Sequence, residues 1–203
     1  RALAAVPPGP DLATTNSDAT ATEPTTFAGL QDLTGSEPPD PWIAVGPDHV
    51  IQAVNTTFRI SDRAGSILKT VSMEDFFGIS AIADYDAEVF DPRVIFDRLQ
   101  DRWVAIETSF DCDPSDQALI GTGYIDVAIS DTADPTGGWS VVSIAYPDFV
   151  PDYPGIGTST DKVVLSANVF PLVSGVGLYG CDVDPSFQGT ELDVLAWSEL
   201  KGT

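Results

Sequence analysis

Positive charge is what this chain has least of. Its 203 residues hold 9 Lys and Arg and a single His against 31 Asp and Glu, for a net charge of −22. The lysines are Lys69, Lys162 and Lys201. Such a surface repels phosphate backbones and anionic bilayers, which excludes nucleic acid as a partner. It suits a saline medium, divalent cations, or solubility alone. No stretch approaches the ~20 apolar residues of a membrane helix, so no membrane span is expected. One histidine, His49, and two distant cysteines, Cys112 and Cys181, cannot supply a zinc site. His49 has no partner set for Ser–His–Asp chemistry, and neither a G-x-S-x-G elbow nor a Gly-rich phosphate loop occurs. The cysteines read as a disulfide of an exported protein, the alternative being two buried thiols. The start at Arg1-Ala2-Leu3-Ala4-Ala5-Val6 reads as a remnant left after processing.

Apolar residues make up 43% of the chain, enough for a substantial core. Residues 1–38 are rich in Pro, Thr, Ala, Ser and Asp without an apolar period, which predicts an extended linker or arm. Within it, Phe27-Ala28-Gly29-Leu30 is the stretch expected to dock on the domain. From residue 39 on, one pattern recurs: an Asp-Pro start, a short apolar run, a polar turn, and a second apolar run. It appears as Asp40-Pro41-Trp42-Ile43-Ala44-Val45, Asp91-Pro92-Arg93-Val94-Ile95-Phe96 and Asp152-Tyr153-Pro154-Gly155-Ile156. Repeats of about 40–50 residues built of short strands point to propeller blades. The pattern predicts an all-β chain with three four-stranded blades near 40–73, 91–144 and 152–198, about half of a six- or seven-bladed ring. Completion by a second copy is the alternative. In the first blade the strands are expected at Trp42–Val45, Val50–Val54, Phe58–Ser61 and Ser66–Val71, followed by a helical turn at Met73–Phe77. In the third, Gly177–Val183 and Leu192–Trp197 are expected as the third and fourth strands.

An ordered set of motifs resembles an uncharacterised β-propeller-like domain carried by many large exported bacterial proteins. The matching residues are Asp40-Pro41, Ala44-Val45-Gly46-Pro47, His49, Val54-Asn55 and Phe58. They continue with Asp91-Pro92, Val94, Asp97 and Arg102-Trp103, then Ser130, Asp134-Pro135-Thr136-Gly137 and Trp139, and end with Asp152-Tyr153-Pro154 and Gly157. The match covers residues 39–170. Gly155 stands where the family has Lys, and the cysteines sit elsewhere than the family's. The resemblance implies a secreted or cell-surface module without assigned catalytic residues.

Three groups of residues are candidate sites. Asp40, Asp91 and Asp152 each open the first strand of a blade and are expected to ring one mouth of a central channel. Converging carboxylates there suit a cation, or acid–base cleavage of a glycoside, while hydrogen bonding to their own turns is the structural alternative. The Asp-Pro start resembles that of five-bladed glycosidases, whose Asp is the base. Asp111, Asp113 and Asp116 beside Cys112, Asp182 and Asp184 beside Cys181, and the separate trio Asp84, Asp86 and Glu88 offer hard oxygen ligands of a kind that suits Ca²⁺. Ser130…Asp134…Gly138-Trp139 resembles the Asp-box of sialidase-like propellers, a structural turn. Trp42, Trp103, Trp139 and Tyr153 are expected between blades rather than as a sugar platform. Asn55-Thr56-Thr57 fits the N-glycosylation sequon.

The leading expectation is a non-catalytic extracellular module with a structural, adhesive or ligand-binding role, its partners carbohydrate or another protein chain. One alternative is a glycoside-active propeller. The other is a subunit of an extracellular filament or surface layer, self-associating through open blade edges.

Overall fold

The computed structural model describes residues 26–31, 37–79, 88–112, 120–175 and 181–200. The described residues form antiparallel sheets with two short helices. The first sheet runs in the order β1 (Trp42–Val45), β2 (His49–Val54), β3 (Thr57–Asp62) and β4 (Ile67–Ser72). Helix α1 (Met73–Phe77) follows. The second sheet is β5 (Glu88–Asp97), β6 (Arg102–Asp111), β7 (Thr122–Ser130) and β8 (Trp139–Pro147), again in sequence order. The third contains β9 (Phe149–Thr158), β10 (Lys162–Ser174), β11 (Cys181–Val183) and β12 (Gly189–Ala196), and α2 (Trp197–Leu200) ends the described chain. No closed ring is formed among the described residues.

Local chemistry accounts for the punctuation. Asp62 Oδ1 accepts from the Ala64 and Ser66 amides, and Gly65 supplies a φ of 89° to close the β3–β4 hairpin. Asp97 plays the same part between β5 and β6, accepting from the Leu99 and Gln100 amides. The Ser72 hydroxyl caps α1 by accepting from Asp75 N, and Gly78 ends it at φ 78°. The segment resembling an Asp-box is a turn: Asp134 Oδ1 accepts from both the amide and the hydroxyl of Thr136, and Trp139 Nε1 donates to Pro135 O.

The third sheet departs from the expected succession. β11 and β12 are not a third and fourth strand side by side. Both pair with β10, β11 along Leu172–Ser174 and β12 along Lys162–Val169. A 13-residue β10 is long enough to hold both one after the other, with β9 pairing along Val163–Pro171. Trp197 is not a strand residue either: it opens α2 and is buried, its Nε1 donating to Ser159 O. Residues 177–180, expected in the third strand, lie outside the described residues.

Two apolar layers separate the three sheets. β6 is buried from Trp103 to Ser109 because its alternate side chains enter opposite layers. Trp103 and Ala105 join Ala44, Ile51, Ala53, Phe58 and Ile60 of the first sheet. Val104 and Ile106 join Val163, Leu165 and Ala167 of the third. The Tyr146 hydroxyl donates to Asp193 across the second layer, and burial together with that bond pushes the phenol pKa up. A third small cluster packs Val150 and Leu172 around the Cys112–Cys181 disulfide, which ties the end of β6 to the start of β11. Phe27 lies against Gly65, and Arg59 Nη1 donates to Gly29 O, so this part of the N-terminal stretch docks on the first sheet.

Trp103 is fully buried, its indole N–H donating to Ala133 O, and a Cβ on Gly46 would lie 2.4 Å from its ring. Gly46→Ala is therefore expected to cost about 1–3 kcal/mol through overpacking, read as a lower urea midpoint at unchanged slope. The disulfide spans a sequence separation of 69 residues. Replacing both cysteines by serine is expected to lower stability by about 2–5 kcal/mol, visible as a lower melting temperature that reductant no longer affects.

Candidate functional site: an acidic cavity where the first strands meet

β1, β5 and β9 lie side by side, and the residues just before β1, in the first half of β5 and in the middle of β9 border a cavity of about 620 Å³. Its walls carry Glu37, Asp40, Glu74, Asp91 and Asp152, with Asn55, Thr56 and Tyr153 among the other lining groups. The three Asp residues that open the repeats thus share one cavity.

The three strands share one backbone device, but not at their starts. Asp40 precedes β1, whereas Asp91 lies inside β5 and Asp152 and Tyr153 lie inside β9. Asp91 and Asp152 therefore do not open their strands as the sequence predicts, because pairing extends β5 and β9 upstream of them. Asp40, Asp91 and Tyr153 hold φ values of 44°, 55° and 51°, and each directly precedes a proline. By backbone conformation the three segments therefore do not align Asp with Asp. The structural counterpart of Asp40 and Asp91 is Tyr153, and Asp152 sits one residue earlier. A left-handed residue other than glycine costs roughly 1–2 kcal/mol, and the cost is least readily borne by a bulky side chain such as Tyr153. Bulges accompany the device: the β5–β6 register shifts between Phe90 and Arg93, and the β9–β10 register shifts across Ser166 to Asn168.

Side chains from one sheet satisfy the strained backbone of the next. Asn55, buried at the β2–β3 turn, donates Nδ2 to Pro38 O at 2.9 Å and to Asp40 Oδ2 at 3.1 Å. Its Oδ1 accepts from Asp91 N at 2.9 Å. Asp91 Oδ2 accepts in turn from Tyr153 N at 2.8 Å. Asn168 on β10 hydrogen-bonds Asp152. Arg93 completes the junction: its guanidinium lies 4.7 Å from the ring centroids of both Trp42 and Tyr153, and Nη1 donates to Pro92 O. Trp42 Nε1 donates to Val94 O, tying β1 to β5. So Trp42 and Tyr153 flank a cation at a partly exposed junction, while Trp103 is the fully buried indole.

The carboxylates differ electrostatically. Burial raises the pKa of Asp91, the Tyr153 amide opposes that, and the negative charges of Asp152 and Asp40 raise it further. Burial also raises Asp152, against the Asn168 bond that lowers it. The cavity therefore favours neutral acids or positive charge.

The remaining candidates lie elsewhere. Asp113 and Asp116 fall outside the described residues, as do Asp84 and Asp86. Asp111 ends β6, and Glu88 opens β5. Asp182 Oδ1 accepts from Val183 N, while Asp184 Oδ1 accepts from Ser186 N and has its pKa lowered by Ser186. Among the described residues no group of three His, Cys, Asp or Glu side chains is arranged to hold a metal ion. Both Nδ2 protons of the sequon residue Asn55 are committed to the fold, and a glycan there would have to displace them. His49 Nε2 lies 3.7 Å from Asp134 Oδ1, on the other side of the repeat from the cavity-lining residues.

Residues missed in the sequence are Arg93, whose neighbours come from three strands, and the buried pair Glu107 and Asp126. The signal for that pair was present: a single acid within each of the apolar runs Trp103–Ile106 plus Thr108 and Ile125–Ile129. No protein family, no curated protein and no solved structure matches the chain.

Asn55→Ala removes three hydrogen bonds and leaves Asp91 N and Pro38 O without their partner, so it is expected to destabilise by about 2–4 kcal/mol, measured by denaturant unfolding. Because Asp91 has a raised pKa in the folded chain, its contribution to stability is present below the ordinary value of 3.8 and is lost as pH rises through the folded value. Asp91→Asn keeps an acceptor for Tyr153 N and is expected to reduce that loss, read as a shallower fall of melting temperature with rising pH.

Proposed function

We propose that this chain is an exported or cell-surface β-propeller module with a structural, adhesive or ligand-binding role rather than a catalytic one. The observation that carries the reading is the commitment of all three opening carboxylates to the fold: Asn55 serves Asp40, Tyr153 N serves Asp91, and Asn168 serves Asp152. Groups so engaged act as connectors between repeats. The propeller part of the reading, with a full ring of six or seven blades, is supported by the side-by-side opening strands β1, β5 and β9 and by the face-to-face stacking of successive sheets. The export part is supported by the Cys112–Cys181 disulfide, a bond that persists in oxidising compartments. No described helix is long and apolar enough to cross a membrane.

Two further readings have an observation each. A glycoside-active propeller is favoured by the raised pKa values of Asp91 and Asp152, since glycosidases need a carboxylic acid held neutral near a carboxylate. A filament or surface-layer subunit is favoured by the β1 edge, where Ile43 and Val45 are more than half exposed.

Incubation with a panel of chromogenic glycosides and polysaccharides, at acidic and neutral pH, separates the first two readings. The expected result is no turnover by the purified chain, with any carbohydrate retention unaffected by Asp91→Asn. Turnover that Asp91→Asn abolishes overturns the non-catalytic reading. Sedimentation over a wide concentration range addresses the third: reversible polymers dispersed by Ile43→Lys favour the filament subunit, and a monomer throughout removes it.

A further inference from the structure

Glu107 is the least provided-for ionisable group among the described residues. It is 0% exposed, and neither of its carboxylate oxygens has a hydrogen-bond partner. In the β6–β7 register it stands directly opposite Asp126, itself 3% exposed. Strand alternation puts both on the side of the second sheet that carries Trp103, Ala105 and Ala128, facing the first sheet and α1. The hydroxyl donors nearby are already used: Ser109 Oγ donates to Asp126 Oδ2 at 2.7 Å, and Ser143 Oγ donates to Asp126 Oδ1. The charged groups acting on Glu107 are Asp126 from β7 and Glu74 from α1, both acidic. β8 offers only the Ser143 hydroxyl, and on β5 the Asp91 carboxylate is turned to Tyr153 N. The apolar residues of the first sheet on this side, Ala53 and Phe58, bring no charge.

Two adjacent carboxylates sealed from water, with no cation beside them, cannot both stay ionised at modest cost. We propose that Glu107 and Asp126, paired within the second sheet, retain one proton between them at neutral pH, and that the packing of the first sheet over them weakens when that proton is lost. Asp126, with two hydroxyl donors, is the better carboxylate, and Glu107 is the group that carries the proton. Burial pushes the Glu107 pKa well above its ordinary value, and the charges of Asp126 and Glu74 push in the same direction. On deprotonation the proton passes to solvent base, and the pair is left with two negative charges in the apolar layer that holds Met73 and Phe77 of α1. The proton is bound more tightly by the folded chain than by the unfolded one. The protonated pair therefore contributes its full stability at low pH and loses it as pH rises through the folded pKa.

The test combines infrared spectroscopy with unfolding at a series of pH values, on the wild type, Glu107→Gln and Asp126→Asn. The expected result is a protonated-carboxyl stretching band at neutral pH that Glu107→Gln removes. Over the pH range in which that band disappears, the wild-type unfolding constant should rise by up to about tenfold per pH unit, the slope of a single proton, in excess of the rise in Glu107→Gln. If Glu107→Gln fails to fold, the band in the wild type and its shift to a different pH in Asp126→Asn decide the matter. Absence of the band at neutral pH, or an equal slope in wild type and Glu107→Gln, overturns the proposal. A missing band together with a stability lost to chelator and restored by Ca²⁺ or Mg²⁺ also overturns it, in favour of a bound metal ion.

Discussion

The structure depends on how β1, β5 and β9 are held together where they meet. Three strands come from three sheets, each with a left-handed residue before a proline at the junction, and none of these residues is comfortable alone. Asn55 and Asp91 make them compatible, because each spends its side chain on the backbone of the following sheet. Arg93 between Trp42 and Tyr153 adds a cation where carboxylates crowd. The strain of one unit is thus relieved by its neighbour, which couples the sheets as a series rather than leaving them as independent hairpins.

From this follows the character of the cavity. Carboxylates placed at the strand junction for structural reasons end up lining a shared space, and burial together with their mutual repulsion raises the pKa of Asp91 and Asp152. The chain's excess of negative charge, −22 in all, meets different surroundings outside and inside. On the surface, water screens it. In the sheet interfaces only a proton, a hydroxyl donor or Arg93 is at hand, and Glu107 has none of the last two.

Much of the fold was legible because it rests on local rules. The alternation from Trp42 to Val54, the Asp62–Gly65 hairpin turn and the helical turn at Met73–Phe77 all declare themselves within a few residues, and the structure places them as the pattern predicts. The docking of Phe27 was also readable, as a lone aromatic in a polar arm. The third sheet was misread because periodicity marks a strand but not its partner. Cys181–Val183 and Gly189–Ala196 both look like strands, and only the length of β10 lets it pair with both. Asp152 was aligned with Asp40 and Asp91 by its letter, whereas the backbone aligns Tyr153 with them.

The sequence by itself determined the all-β class, the strand rhythm and the acidic character, since these follow from side-chain alternation and charge. The tertiary structure decided what individual residues do. Whether Asp91 is free or bonded depends on Tyr153, 62 positions away, and the isolation of Glu107 depends on a layer built from two sheets. Hydrogen-bond satisfaction and burial are properties of what surrounds a group in space, and no local pattern of residues contains them.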